Sequence, residues 1–184
     1  TPPLHPMSPN SFARFAHYNR WMNERLYEAA ARLAPAELAA DRGAFFGSIL
    51  GTLNHIAVAD TVWLHRFAAH PLCAAALAET ASLPRPGSLR EPLAADLTGL
   101  GAYRQRLDAL VLRWTPEVTA EALDATLSYT SMAGASSRRR LGDVLLHFFN
   151  HQTHHRGQVT TLLFQAGIDV GVTDLLVTLP EVAA

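Results

Sequence analysis

The sequence has one cysteine, Cys73, in 184 residues. A lone thiol excludes an internal disulfide and a cysteine-rich zinc site, and it fits a reducing, cytoplasmic setting. Charge is sparse as well: 17% of residues are charged and the formal net charge is −1 at pH 7. That balance excludes the broad basic surfaces that bind nucleic acid or anionic membranes. The one basic run, Arg138-Arg139-Arg140, is too short to alter this and reads as a solvated turn before a helix. No apolar run reaches the roughly 18 to 20 residues that span a bilayer. The stretch from Thr1 to Asn10 is proline-rich and lacks a basic flank followed by an apolar segment, so it reads as a loose leader. Valine and isoleucine are scarce beside alanine and leucine, which disfavours a large sheet.

What is present points to helices. Hydrophobic residues make up 49% of the chain. The length suits one domain, 1–184, with a sizeable core, and the apolar content leads to the expectation of a homodimer face. Ser8-Pro9 starts a helix in which Phe12, Phe15, Met22, Leu26, Ala29 and Leu33 recur near the 3.6-residue period, ending before Pro35. A second helix runs from about Ser48 to Ala69 with two adjacent apolar stripes. His70-Pro71 stops it, and a proline-rich crossover leads to Pro92. Leu93 to Trp114 forms a third helix. Leu127 and Tyr129 then alternate with polar residues before Ala133-Gly134-Ala135, which suggests a short β-hairpin. A fourth helix spans Leu141 to Ala166, with Gly167 as its stop. A tail, 168–184, is expected to pack back through Leu175, Leu176 and Leu179. The fold class is all-α, a four-helix bundle with a possible short hairpin before the last helix.

Nine histidines stand out, three of them within His151-Gln152-Thr153-His154-His155. Residues i and i+4 share a helix face, so His151 and His155 can meet one ion. Both continue the core stripe of Leu141, Val144, Phe148, Val159 and Leu162. His154 sits about 100° away and should point outward. His147 is placed on the inner side, but about 12 Å along the axis from His155, too far to share an ion. A pair of this kind is either two hydrogen-bonded core histidines or part of a metal site, and a metal needs a third ligand. His55, mid-way along the second helix among small and apolar neighbours, is the best candidate. His65, His5, His17 and His70 read as surface residues. Asp60, rotated about 140° from His55, either orients a histidine from behind or lies on the surface.

The segment Phe148-Phe149-Asn150-His151-Gln152-Thr153-His154-His155-Arg156-Gly157-Gln158-Val159 resembles the last-helix signature of the DinB-like (damage-inducible, YfiT-like) superfamily. Ala16 to Asn23, Leu53-Asn54-His55-Ile56 with Asp60 and Trp63, Gln165-Ala166-Gly167 and Thr173-Asp174-Leu175-Leu176 extend the resemblance along nearly the whole chain. The resemblance implies one divalent metal ion on His55, His151 and His155, with zinc or nickel foremost and iron, cobalt or copper also compatible. It further implies a small-molecule substrate. Relatives include transferases and isomerases that use low-molecular-weight thiols such as mycothiol, bacillithiol or glutathione, and proteins described as metal-dependent hydrolases.

Three neutral ligands leave an open position and an uncompensated charge, which acidifies a thiol or a water. Both thiol transfer and hydrolysis follow from that chemistry; the family resemblance makes thiol S-transfer the leading expectation, hydrolysis the second, and a non-catalytic metal-binding or stress-response bundle the third. A di-iron carboxylate bundle is excluded, because no Glu-x-x-His pair is present.

Overall fold

The computed structural model describes residues 9–182. The reading of Ser8 as a cap and most of the expected leader lie outside them. Four long helices make the bundle: α1 (Pro9–Ala30), α3 (Ile49–Ala68), α5 (Leu97–Trp114) and α7 (Leu141–Gln165). Short helices α2 (Pro35–Ala39), α4 (Pro71–Ala74) and α6 (Ala120–Asp124) occupy the connections. Around the bundle the order is α1, α5, α3, α7, each packed on the next, with α7 closing back on α1. The chain therefore crosses a diagonal between α1 and α3, and again between α5 and α7.

Local chemistry explains where the helices begin and end. Ser48 caps α3, accepting from the Gly51 amide at 2.9 Å. Asp96 caps α5 in the same way through Gly99. Helix α5 thus starts at Leu97 rather than at Leu93, because the Leu93 amide is already committed to Asn54 Oδ1. At the end of α7, Gly167 has φ +81°, and the amides of Gly167 and Ile168 return to the carbonyls of Phe164 and Leu163. This is a Schellman ending, with glycine at the left-handed position.

The expected hairpin forms from β1 (Thr126–Thr130) and β2 (Ser136–Arg140), antiparallel, with Leu127 opposite Arg139 and Tyr129 opposite Ser137. The basic run is therefore strand rather than solvated turn. The tail packs back through Leu175 as expected, but not through Leu176. Leu176 is 77% exposed, whereas Ile168, Val170 and Leu175 pack on the core. Tyr18 Oη donates to the Thr173 carbonyl and Arg25 to that of Val170, which hold the segment against α1.

Two kinds of contact join the four helices. Apolar packing is dominated by rings: Phe67 lies 5.0 Å from Trp114 and 5.8 Å from Phe148, and Phe149 stacks on Phe12 and Phe15. A buried polar layer lies beside it. Asp60 on α3 meets Arg104 on α5 at 2.5 Å. Arg104 also meets Asp108 at 2.9 Å, and Asn23 on α1 donates to Asp108. Gln152 on α7 donates to Asp60 at 2.7 Å, and Arg156 donates to Asn19. Asp60 is fully buried, so its surface alternative fails. It bears on the histidines only indirectly, through the residue next to His151.

Candidate metal centre

His55 stands in the second turn of α3, and His151 and His155 stand one turn apart on the facing side of α7. The three rings converge: one ring nitrogen from each lies within 4.8 Å of the others. His55 Nε2 and His151 Nε2 are 3.2 Å apart. His55 and His155 are buried and His151 is half-buried, which leaves the cluster approachable from the His151 side.

Neighbours fix the rings. His55 Nδ1 lies 3.1 Å from the carbonyl of Leu89 in the crossover, and His155 Nδ1 lies 2.8 Å from Gln158 Oε1. Each acceptor calls for a proton on Nδ1, which turns the bare Nε2 lone pair toward the cluster. The crossover is held for this by the residue before His55: Asn54 donates to the Glu91 carbonyl and accepts from the Leu93 amide. Phe46 stacks on the His55 ring at 3.6 Å and meets His155 edge-on. Its loop sits tightly on α3. A Cβ at Gly51 would lie 2.2 Å from the Phe46 carbonyl oxygen, so only glycine admits this approach.

Burial keeps the rings uncharged. It pushes His55 down to about 4 and His151 to about 3, with His155 also lowered, and the neighbouring imidazoles lower His151 further. Three neutral nitrogen donors suit a divalent transition metal. The fit is geometric too. A tetrahedral ion with bonds of about 2.0 to 2.1 Å spaces its nitrogens about 3.3 Å apart, close to the His55–His151 separation. His151 Nδ1 is buried and without a partner among the described residues, so nothing else fixes that ring.

The acid response of the metal-free protein follows. Folded, these rings resist protonation; unfolded, they accept a proton near pH 6.5. Between about 6.5 and about 4 the unfolded chain therefore binds more protons, and stability falls as pH falls. The expected result is a melting temperature several degrees lower at about pH 5 than at about pH 7 in metal-free protein. Circular dichroism melts at fixed ionic strength check it, and a flat profile would show ordinary histidines.

The other histidines sort clearly. His154 is exposed, with Nε2 3.2 Å from Gln158 Nε2, as its rotation on the helix requires. His147, expected on the inner side, is exposed and rests against Trp63 at 5.5 Å. His65 meets the Pro84 carbonyl and His70 caps α4. His17 is exposed, and His5 lies outside the described residues. Sequence reasoning missed Leu89, Phe46 and Gln158. Phe45-Phe46 was a usable signal, because two adjacent rings in a polar loop need something to cover.

With this arrangement in view, the comparisons with known proteins are specific. The model of the DinB family matches residues 7–181. The chain belongs to the DinB family. It is also similar to Protein DinB of Bacillus subtilis (strain 168), 26% identical over 159 residues, which covers 85% of this chain and 87% of that protein. Within this DinB-family chain, the histidine cluster joins the second and last long helices of the bundle. No helix among the described residues is long and apolar enough to cross a membrane.

Proposed function

We propose that His55, His151 and His155 hold one divalent transition metal ion, zinc or nickel foremost, in an enzyme that activates a low-molecular-weight thiol for transfer to an electrophile. The convergence of three neutral imidazoles, open on one side, carries this reading. A divalent ion there keeps its charge and lowers the pKa of a thiol or water in its open position.

The protein's own residues supply the rest. Leu89 and Gln158 hold the two buried rings in one tautomer, and Phe46 excludes water from one face of His55. Hydrolysis would be helped by a nearby carboxylate acting as general base. Asp60, the buried acid on the same helix as His55, is held by Arg104 and Gln152 instead. This favours the thiol, whose nucleophile needs only to lose its proton. A cytoplasmic location, where such thiols stay reduced, belongs to the same proposal.

The test compares metal-loaded and chelated protein in two assays: thiol consumption with an activated aryl halide, and hydrolysis of an activated ester without thiol. Metal-dependent thiol consumption is expected, lost with chelator and in His151→Ala. Metal-dependent hydrolysis without thiol would replace this reading with a hydrolase. Activity in neither assay, with metal bound, would leave a non-catalytic metal-binding bundle.

A further inference from the structure

A strip of aromatic rings leads away from the histidine cluster and ends in cations that have no acid partner among the described residues. The His147 ring lies 6.0 Å from His151 and 5.5 Å from Trp63. Trp63 lies 5.1 Å from Tyr129 on the hairpin. The guanidinium of Arg66 sits over both, 4.4 Å from the Trp63 ring centre and 5.0 Å from that of Tyr129. Trp63, Arg66 and Tyr129 are all half-buried, and His147 is exposed, so the strip is reachable from solvent.

The charges at its far end are unbalanced. Arg66 donates to the Thr130 carbonyl and forms no ion pair among the described residues. Arg139 stands opposite Leu127, and directly paired residues of an antiparallel ladder share a face. Leu127 is buried, so Arg139 lies on the hairpin face turned to the bundle. Its charge reaches His147, which it lowers after burial has done so. Arg139 has no ion pair among the described residues either, whereas Arg140 is paired with Asp124. Burial also lowers the Arg66 guanidinium, the response of a desolvated cation that lacks a carboxylate.

We propose that Trp63, His147 and Tyr129 form a stacking shelf, and Arg66 and Arg139 an anion seat, for a substrate with a planar or apolar body and a carboxylate or phosphate at one end. This rests on the metal–thiol reading for the other end of the substrate. The helical rise from His55 to Trp63 is about 12 Å. The ligand class is therefore an elongated organic anion that places its donor atom at the histidines and its charge at the hairpin. Stacking on the rings and charge-assisted bonds to the guanidiniums are the recognising forces.

Four probes test it on zinc-loaded protein by calorimetry: biphenyl carboxylate, its carboxamide, and both again with a thiol at the far end. The acid-to-amide ratio reads the arginines, and the thiol-to-no-thiol ratio reads the metal. The acid should bind roughly tenfold more tightly than the amide, with or without the thiol. That ratio should fall several-fold in Arg66→Gln and in Arg139→Gln and to near one in the double variant, with amide affinity unchanged, and it should shrink with added salt. Arg139 is exposed and has no ion pair to lose, so its variant keeps the test valid if Arg66→Gln loosens the hairpin. Equal binding of acid and amide, or no binding by any probe, overturns the anion seat. A preserved acid ratio with no gain from the thiol overturns the thiol reading alone.

Discussion

His151→Ala and His155→Ala proteins are expected to emerge from gel filtration without metal, while wild type and His154→Ala should each retain about one ion per chain. This outcome is expected from the geometry. His151 supplies the nitrogen 3.2 Å from His55, and His155 closes the triangle from one turn further along α7. Two remaining imidazoles hold a labile ion poorly, because a three-histidine site depends on every donor. His154 is exposed and turned about 100° from its neighbour, so its loss removes no donor. A graded intermediate is available in Gln158→Ala. That change frees the His155 ring without removing it and should weaken metal affinity by about 10- to 100-fold. Metal content by plasma emission, with competition against a chromogenic chelator, measures wild type and all four variants. If His154→Ala lost the ion while His155→Ala kept it, the ligand assignment on α7 would be wrong.

The second large effect concerns stability. Arg104 is 2% exposed and stands between Asp60 and Asp108. Burial alone would lower its guanidinium, but Asp108 and Asp60 outweigh that and hold it above its ordinary value. Arg104→Met would leave two buried carboxylates facing each other across the α3–α5 contact. Breaking a buried pair in this way costs about 3 to 5 kcal/mol, which is a melting temperature lower by roughly 10 °C in a chain of this length. The pH dependence gives a signature. Uncompensated carboxylates take up protons in the folded state at a pH where the unfolded chain has released them. Folded protein then binds more protons than unfolded, so the deficit relative to wild type should narrow as pH falls from about 8 to about 5. Paired urea melts at both pH values read it. A cost below about 1 kcal/mol would mean that water or rearrangement satisfies the acids.

The long helices and the His151–His155 pair were legible because both rest on period, whereas His55 was singled out by its place mid-helix among apolar neighbours and by the family resemblance. Apolar recurrence marks the four helices, and the i, i+4 spacing puts His151 and His155 together. The buried polar layer has the same spacing: Asn19 and Asn23, Arg104 and Asp108, Gln152 and Arg156 are each four residues apart. Nothing in the sequence marks them as buried, because a polar side chain carries no sign of burial until its partner is known. Asp60 shows the difficulty. Alone on α3 it is an acid of uncertain direction, and only Arg104 and Gln152, from two other helices, make its burial tolerable. Leu89 was illegible for another reason. It acts through its backbone carbonyl, so its side chain says nothing about the role. The tail was misjudged because Leu176 and Leu175 are the same residue type, and a single 3-10 turn decides which one faces the core.

Helix α7 carries two pairs one residue out of step. His151 and His155 face His55, while Gln152 and Arg156 face the buried charges. The ends of this helix are pinned as well, at the Leu141 amide bonded to Ala125 and at Gly167. Inserting or deleting one residue between those pins would turn half the helix by about 100°. It would turn an amide and a guanidinium toward His55, or the histidines toward the acids. Evolution can therefore exchange side chains along this helix but has little freedom to change its length, whereas the loops around residues 41–48 and 75–96 can grow or shrink wherever they do not carry Phe46, Leu89 or the bonds to Asn54.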